Sequence, residues 1–143
     1  MLRTLHPMIV HFPIALFYTS ALFEVLYLIY RKEWLRFSGF ALLSLAIASG
    51  VAAGIAGWIS EHYLPANLPA KDWALINTHK NFAELSVFTY GLAWLVRAFS
   101  GRKGPRGGRT LLYVLLILAG VALISYTGFL GGSLVYVHGI GVP

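Results

Sequence analysis

Residues 37–59 read FSGFALLSLAIASGVAAGIAGWI and contain no ionisable side chain. About 20 apolar residues suffice for an α-helix to cross the hydrocarbon core of a bilayer. Only a helix satisfies all the backbone polar groups of such a segment within the segment itself. This stretch therefore predicts a transmembrane helix.

Three further apolar runs flank this helix, at about 7–30, 77–97 and 110–134. The run at 77–97 is the most polar because it contains His79, Lys80 and Glu84. Short links join the four runs, so consecutive helices are expected to be antiparallel. The sequence predicts an all-α integral membrane four-helix up-down bundle that forms a single domain over residues 1–143.

The composition agrees with a membrane protein and excludes several kinds of site. Hydrophobic residues make up 58% of the chain and charged residues 11%, whereas soluble domains carry about 25% charged residues. The absence of cysteine excludes disulfides, thiolate metal sites, iron–sulfur clusters and covalent c-type haem attachment. The first run is longer than the core of a secretory signal and meets a basic cluster, so we interpret it as a retained span.

Positive charges concentrate in two of the links. The links after the first and third runs hold most of the Lys and Arg residues: Arg31, Lys32, Arg36, Arg97, Arg102, Lys103, Arg106 and Arg109. The opposite side has Arg3, Lys71 and Lys80. By the positive-inside rule, the basic links face the cytoplasm and both termini face outward. The net charge of +6 then indicates contact with membrane lipid and not with nucleic acid.

The five histidines all fall near the predicted outer ends of the runs: His6, His11, His62, His79 and His138. His11 lies inside the first run, and an ionisable side chain within a span is a functional candidate. The first and third runs are diagonal neighbours in an up-down bundle, at about 11–14 Å for adjacent axes about 8–10 Å apart. We therefore expect that His11 and His79 can bind one iron from opposite sides. A structural role at the membrane interface remains open for each histidine.

Glycines occur where a flat cofactor would approach the second and fourth runs. Gly54 and Gly57 lie in the second run, and Gly128 and Gly131 lie in the fourth. Small residues let a porphyrin approach the backbone, but they also serve close helix packing in lipid. Both interpretations stay open for these four glycines.

Two carboxylates, Glu24 and Glu84, lie within predicted spans. A bare carboxylate is costly in hydrocarbon, so each is expected to be protonated, hydrated or paired. No hydrolase, zinc-protease or phosphate-binding motif is present. A stand-alone enzyme that acts on a soluble substrate is therefore not expected.

Two terminal motifs and a central one are shared with a known family. The segments HPMIVHFPIAL from His6, NTHKN from Asn77 and GGSLVYVHGIGV from Gly131 resemble a bacterial family of four-span predicted membrane proteins, classed as a domain of unknown function. Relatives are similar to modules linked to cytochrome c, Rieske and dehydrogenase domains. The resemblance implies redox work in a bacterial inner membrane and favours the motif histidines, His6, His11, His79 and His138, as metal or cofactor ligands.

These observations lead to two hypotheses. The first is a membrane-embedded b-type haem protein with one or two haems, two being favoured by the histidine count. It would transfer electrons between the quinone pool, cytochrome c or a redox partner subunit and the outer side of the membrane. The second is a non-catalytic membrane anchor whose histidines are structural or bind Cu or Zn. A homo-oligomer is compatible with both hypotheses.

Overall fold

The computed structural model describes residues 5–101 and 104–141. It contains a short helix α1 and four long helices, in the order α1 (Leu5–Ile9), α2 (His11–Tyr30), α3 (Glu33–Glu61), α4 (Ala70–Ala98) and α5 (Gly108–Tyr136). The described residues form no strand, so the predicted all-α fold is confirmed. Arg3, Arg102 and Lys103, which contributed to the predicted orientation, and Val142 of the last motif lie outside the described residues.

Helices α1 and α2 form one nearly continuous helix with a break at a single residue. Proline has no backbone N–H, so Pro13 cannot donate the helical hydrogen bond to the carbonyl four residues earlier. The interruption falls at Val10, between the two helices. The Val10 N–H still donates to the His6 carbonyl at 3.1 Å, and the Ile14 N–H donates to the Val10 carbonyl at 3.3 Å. The apolar run predicted at 7–30 is thus helical throughout apart from this one residue.

Short links set the directions of the long helices. Arg31 ends α2 in the left-handed backbone region, with φ of 55°, and its N–H donates to the Tyr27 carbonyl at 2.9 Å. Only two residues separate α2 from α3, so these helices form an antiparallel hairpin. Helix α4 begins after Pro69, two turns before the predicted start at residue 77, because its first turns are too polar to register as an apolar run.

The four long helices pack as an up-down bundle. Helices α2 and α3 form one closely packed hairpin and α4 and α5 form the other, while α3 contacts α4 and α2 contacts α5. Helices α2 and α4 are therefore parallel and diagonal, as the sequence predicts for the first and third runs. Helix α1, residues 62–69 and residues 137–141 lie at one end, which we call the histidine end. Residues 31–32, 99–101 and 104–107 lie at the other, which we call the basic end.

Three layers of side chains join α1 and α2 to α4 across the diagonal. The His6 and His79 rings meet at the histidine end, Phe17 stacks on Tyr90 in the middle with ring centroids 4.2 Å apart, and Glu24 meets Arg97 at the basic end. In each pair the α4 residue follows its partner on α1 or α2 by 73 positions (79 less 6, 90 less 17 and 97 less 24). The two parallel helices are therefore in register along their length.

The two hairpins repeat one packing pattern. Several buried positions of α3 recur in α5 at an offset of 74 residues, one more than the offset of 73 across the diagonal. They are the pairs Gly39 and Tyr113, Leu43 and Ile117, Ala46 and Gly120, Ala53 and Thr127, and Ala56 and Leu130. Such parallel repeats are related by an axis along the membrane normal. The sequence shows no comparable repeat because the equivalent positions share burial and not residue type.

Three helical segments are long and apolar enough to cross a membrane, namely Leu5–Tyr30, Glu33–Glu61 and Gly108–Tyr136. Helix α4 is as long as α3 and α5. However, it carries Lys71, Asp72, Lys80 and Glu84, and its mean hydropathy is lower than that of the three candidate spans. The structure therefore supports a membrane protein with at least three such helices, and the fourth span stays a prediction.

Candidate functional site

The candidate site is the pair of imidazoles at the histidine end. His6 lies on α1, and His79 lies on α4 across the bundle diagonal. Their ring centroids are 6.0 Å apart and the ring planes are inclined at 81°. Both rings are partly buried between the helices. The bundle thus brings together two histidines that are far apart in sequence.

Each imidazole is fixed by the same kind of hydrogen bond to the neighbouring helix. The His6 Nδ1–H donates to the Ala53 carbonyl oxygen at 2.8 Å, and the His79 Nδ1–H donates to the Thr127 carbonyl oxygen at 3.1 Å. A carbonyl only accepts, so both bonds require the proton on Nδ1 and leave Nε2 with a free lone pair when the ring is neutral. Within the described part of the chain, neither Nε2 has a hydrogen-bond partner.

A glycine lies against each ring. A Cβ atom on Gly57 would come within 3.0 Å of His6 Nδ1, and one on Gly131 would come within 3.1 Å of His79 Cε1. Each glycine follows the acceptor residue on its helix by four positions (57 less 53, 131 less 127). The two histidine environments are therefore equivalent under the repeat of the hairpins.

This arrangement has the features of a pair of metal ligands. Metal-binding histidines usually donate their second ring N–H to a carbonyl or carboxylate, which fixes the tautomer and the ring. The centroid separation of 6.0 Å is that of an edge-to-face contact between the two rings, and it is similar to the separation of about 6.3 Å expected if both Nε2 atoms bound one metal with bonds of about 2.0 Å. No cluster of three or more His, Asp or Glu side chains able to hold a metal occurs in residues 5–101 and 104–141.

His138 is close to this end of the bundle but has another partner. Its Nδ1–H donates to Asp72 Oδ1 in the first turn of α4 at 2.7 Å. The loop beyond it turns back over α1, since a Cβ on Gly141 would lie 3.5 Å from the Pro7 ring. The first and last sequence motifs therefore meet, and the Asp72–His138 pair fastens the C-terminal loop to α4.

His11 and His62 point elsewhere. His11 is exposed on the outer surface of α2, so His6, and not the predicted His11, is the ring that faces His79. His62 is also exposed, and its Nδ1–H donates to the Trp58 carbonyl at 2.9 Å. Of the four favoured histidines, the structure brings two rings together, places His138 on Asp72 and leaves His11 on the surface.

The predicted glycines divide into two groups. Gly57 and Gly131 contact the histidine rings, whereas a Cβ on Gly54 or Gly128 would have no neighbour within 4 Å. Gly54 is exposed and Gly128 is half-buried. Gly57 and Gly131 therefore position the imidazoles, whereas Gly54 and Gly128 leave open space on α3 and α5 near the same end.

The two carboxylates of the predicted spans, Glu24 and Glu84, also differ. Glu24 is buried beside Arg97, with its Oε2 atom 3.6 Å from Arg97 Nε. Of the three expected states, protonated, hydrated or paired, the structure shows the paired one for Glu24. Its Oε1 atom lies where a Cβ on Gly39 would come within 2.8 Å. Glu84 is exposed on α4. The charged pair closes the basic end of the core and lies two layers away from the histidines.

Sequence reasoning did not identify several contributors to the site. The acceptors for His6 and His79 are backbone carbonyls of Ala53 and Thr127, which no residue type reveals. Asp72 was not singled out because it precedes the apolar run. The Glu24–Arg97 pair could have been predicted from the sequence. The two opposite charges lie near the same end of the first and third apolar runs, and each needs a partner there.

Together, the apolar helices and the buried histidine pair define a helical membrane protein with a polar site inside one end of its bundle. The chain belongs to the DUF2231 family of predicted membrane proteins, whose model matches residues 2–143. No curated protein and no solved structure matches it.

Proposed function

We propose that the protein binds one b-type haem between His6 and His79 and transfers single electrons in the membrane. The observation that carries this proposal is the pair of rings, each held through Nδ1 by a backbone carbonyl and separated by 6.0 Å. Haem iron takes four nitrogens from the porphyrin and needs only axial ligands from the protein. Two imidazoles are therefore a sufficient set.

The surrounding residues support this assignment. Gly57 and Gly131 let the imidazoles lie against α3 and α5. The Nδ1 hydrogen bonds increase the basicity of the ligating nitrogens and fix the ring orientations. If His6 and His79 hold the haem, it would supply one-electron transfer chemistry at this end of the bundle.

The proposal places one site in each chain. His11 is exposed and His138 is bound to Asp72, so neither is assigned as a ligand. The electron donor is inferred to be a quinol or a reduced partner subunit, and the acceptor an oxidised cytochrome or subunit at the histidine end. If the basic end faces the cytoplasm, as the positive-inside rule predicts, this site lies near the outer leaflet.

Replacing either ligand tests the proposal. We expect His6→Ala and His79→Ala to reduce the haem content of the purified protein at least about tenfold, because loss of an outer-shell partner alone costs about 10- to 100-fold in metal affinity. The measurement is the reduced-minus-oxidised absorption spectrum with haem quantified per chain. His11→Ala and His62→Ala are the matched controls and should retain the wild-type content.

A second experiment separates loss of the ligand from loss of the fold. Added imidazole should restore the haem spectrum of a His79→Gly variant, because the free base can occupy the vacated position. Unchanged haem in the His6 and His79 variants would contradict the ligand assignment. A wild-type protein that takes up no haem but binds Cu or Zn stoichiometrically would favour the anchor hypothesis instead.

A further inference from the structure

Helix α4 carries a polar stripe on its outer surface. Asn77, Asn81 and Glu84 are all exposed, and their spacing of four and three residues places them on one face. In the described residues these three side chains make no hydrogen bond or ion pair. The stripe is one reason why α4 is less apolar than the other long helices.

The Glu84 end of the stripe lies at the depth of the apolar core, whereas Asn77 lies near the Lys80–Glu61 ion pair at the end of α3. Glu84 is between His79 of the histidine layer and Tyr90 of the aromatic layer. At this level α5 contributes Thr127, which contacts Ser86 at 3.3 Å, and α5 has no charged side chain from Thr110 to Tyr136. If α4 spans the bilayer beside α3 and α5, the Glu84 end of the stripe faces hydrocarbon.

Exposed amides and a carboxylate are costly in hydrocarbon unless they find partners. Side chains such as Asn form hydrogen bonds between membrane helices. The stripe continues along α4 as exposed or half-exposed Phe88, Gly91 and Leu95, in alternating steps of four and three residues from Asn77. This is the heptad spacing of helices that pack in a left-handed pair.

We propose that α4 is the interface of a two-fold symmetric dimer of this chain. A two-fold interface places the same residues opposite each other, so it must be self-complementary. An asparagine amide both donates and accepts hydrogen bonds, so Asn77 and Asn81 can pair with their copies. Asn81 of one chain can also donate to Glu84 of the other, and Gly91 allows the two helices to approach closely.

Disulfide cross-linking in native membranes tests this proposal directly because the chain has no cysteine. Phe88→Cys and Leu95→Cys place a single thiol on the stripe. Ala15→Cys and Leu22→Cys are matched controls, since they are exposed on α2 at the same two levels of the bundle. A disulfide requires Cα atoms within about 7 Å, so only residues at a true interface react efficiently.

After oxidation we expect both α4 variants to run at twice the 15.7 kDa chain mass, and both α2 variants to remain monomeric. Adding Asn81→Leu and Glu84→Leu to Leu95→Cys should lower the cross-linked fraction several-fold. The proposal would be overturned if the α2 and α4 variants cross-linked equally, or if the α4 variants did not cross-link. It would also be overturned if the α4 variants formed one product of a mass other than twice that of the chain. Haem content is measured separately, so this result is independent of the histidine assignment.

Discussion

Replacing Arg97 with methionine is expected to destabilise the protein by about 3–5 kcal/mol, the cost of removing one partner of a buried ion pair. Arg97 and Glu24 are only 4% and 1% exposed. In the native protein Gly39 lies against Glu24 and the Tyr27 ring lies against Arg97. The variant leaves the Glu24 carboxylate in the core without its partner. The measurement is the fraction of folded protein after heating in detergent, followed by size-exclusion chromatography.

The double variant Glu24→Met/Arg97→Met is the control for this prediction. Replacing both members of a buried ion pair with apolar groups of similar size is often neutral or stabilising. The double variant should therefore be more stable than Arg97→Met alone. If the double variant is no more stable than Arg97→Met, the two residues are not coupled in this way, and the assignment of the pair as the closure of the basic end is incorrect.

The fold could be predicted from sequence to a large extent. Residues 37–59 and 110–134 have no charged side chain, and within a bilayer only a helix satisfies the backbone polar groups of such a segment. The short links then determined the diagonal relation between the first and third runs. Helix α4 was the weakest prediction because its polar residues shorten its apolar run, and its true start at Ala70 lies outside that run.

The site was predicted only in part, for a geometric reason. Sequence spacing placed His11 and His79 at similar depths, but it did not determine the direction in which either ring points. The interruption at Val10, caused by Pro13, separates α1 from α2, and His6 on α1 is the ring that faces the bundle interior. The register between α2 and α4 is likewise determined by packing of Phe17 on Tyr90, which no local pattern shows.

Gly131→Val is expected to reduce haem content about 10- to 100-fold, the usual cost of disturbing a residue that positions a metal ligand. A Cβ at this position would come within 3.1 Å of His79 Cε1, closer than van der Waals contact. The ring must then shift by a few tenths of an ångström, and the two further methyl groups of valine add to this shift, so we expect its hydrogen bond to the Thr127 carbonyl to weaken. The measurement is haem per chain from the reduced-minus-oxidised spectrum, together with the thermal midpoint.

Gly128→Val is the matched control because it lies one turn earlier on α5 and a Cβ there has no neighbour within 4 Å. Both variants add the same side chain to the same helix, so any loss of stability caused by valine itself is the same in both. The haem content should fall only for Gly131→Val if Gly131 acts by positioning His79. Equal loss in both would instead mean that the open space at Gly128 accommodates the cofactor, whereas retention in both would remove His79 from the ligand set.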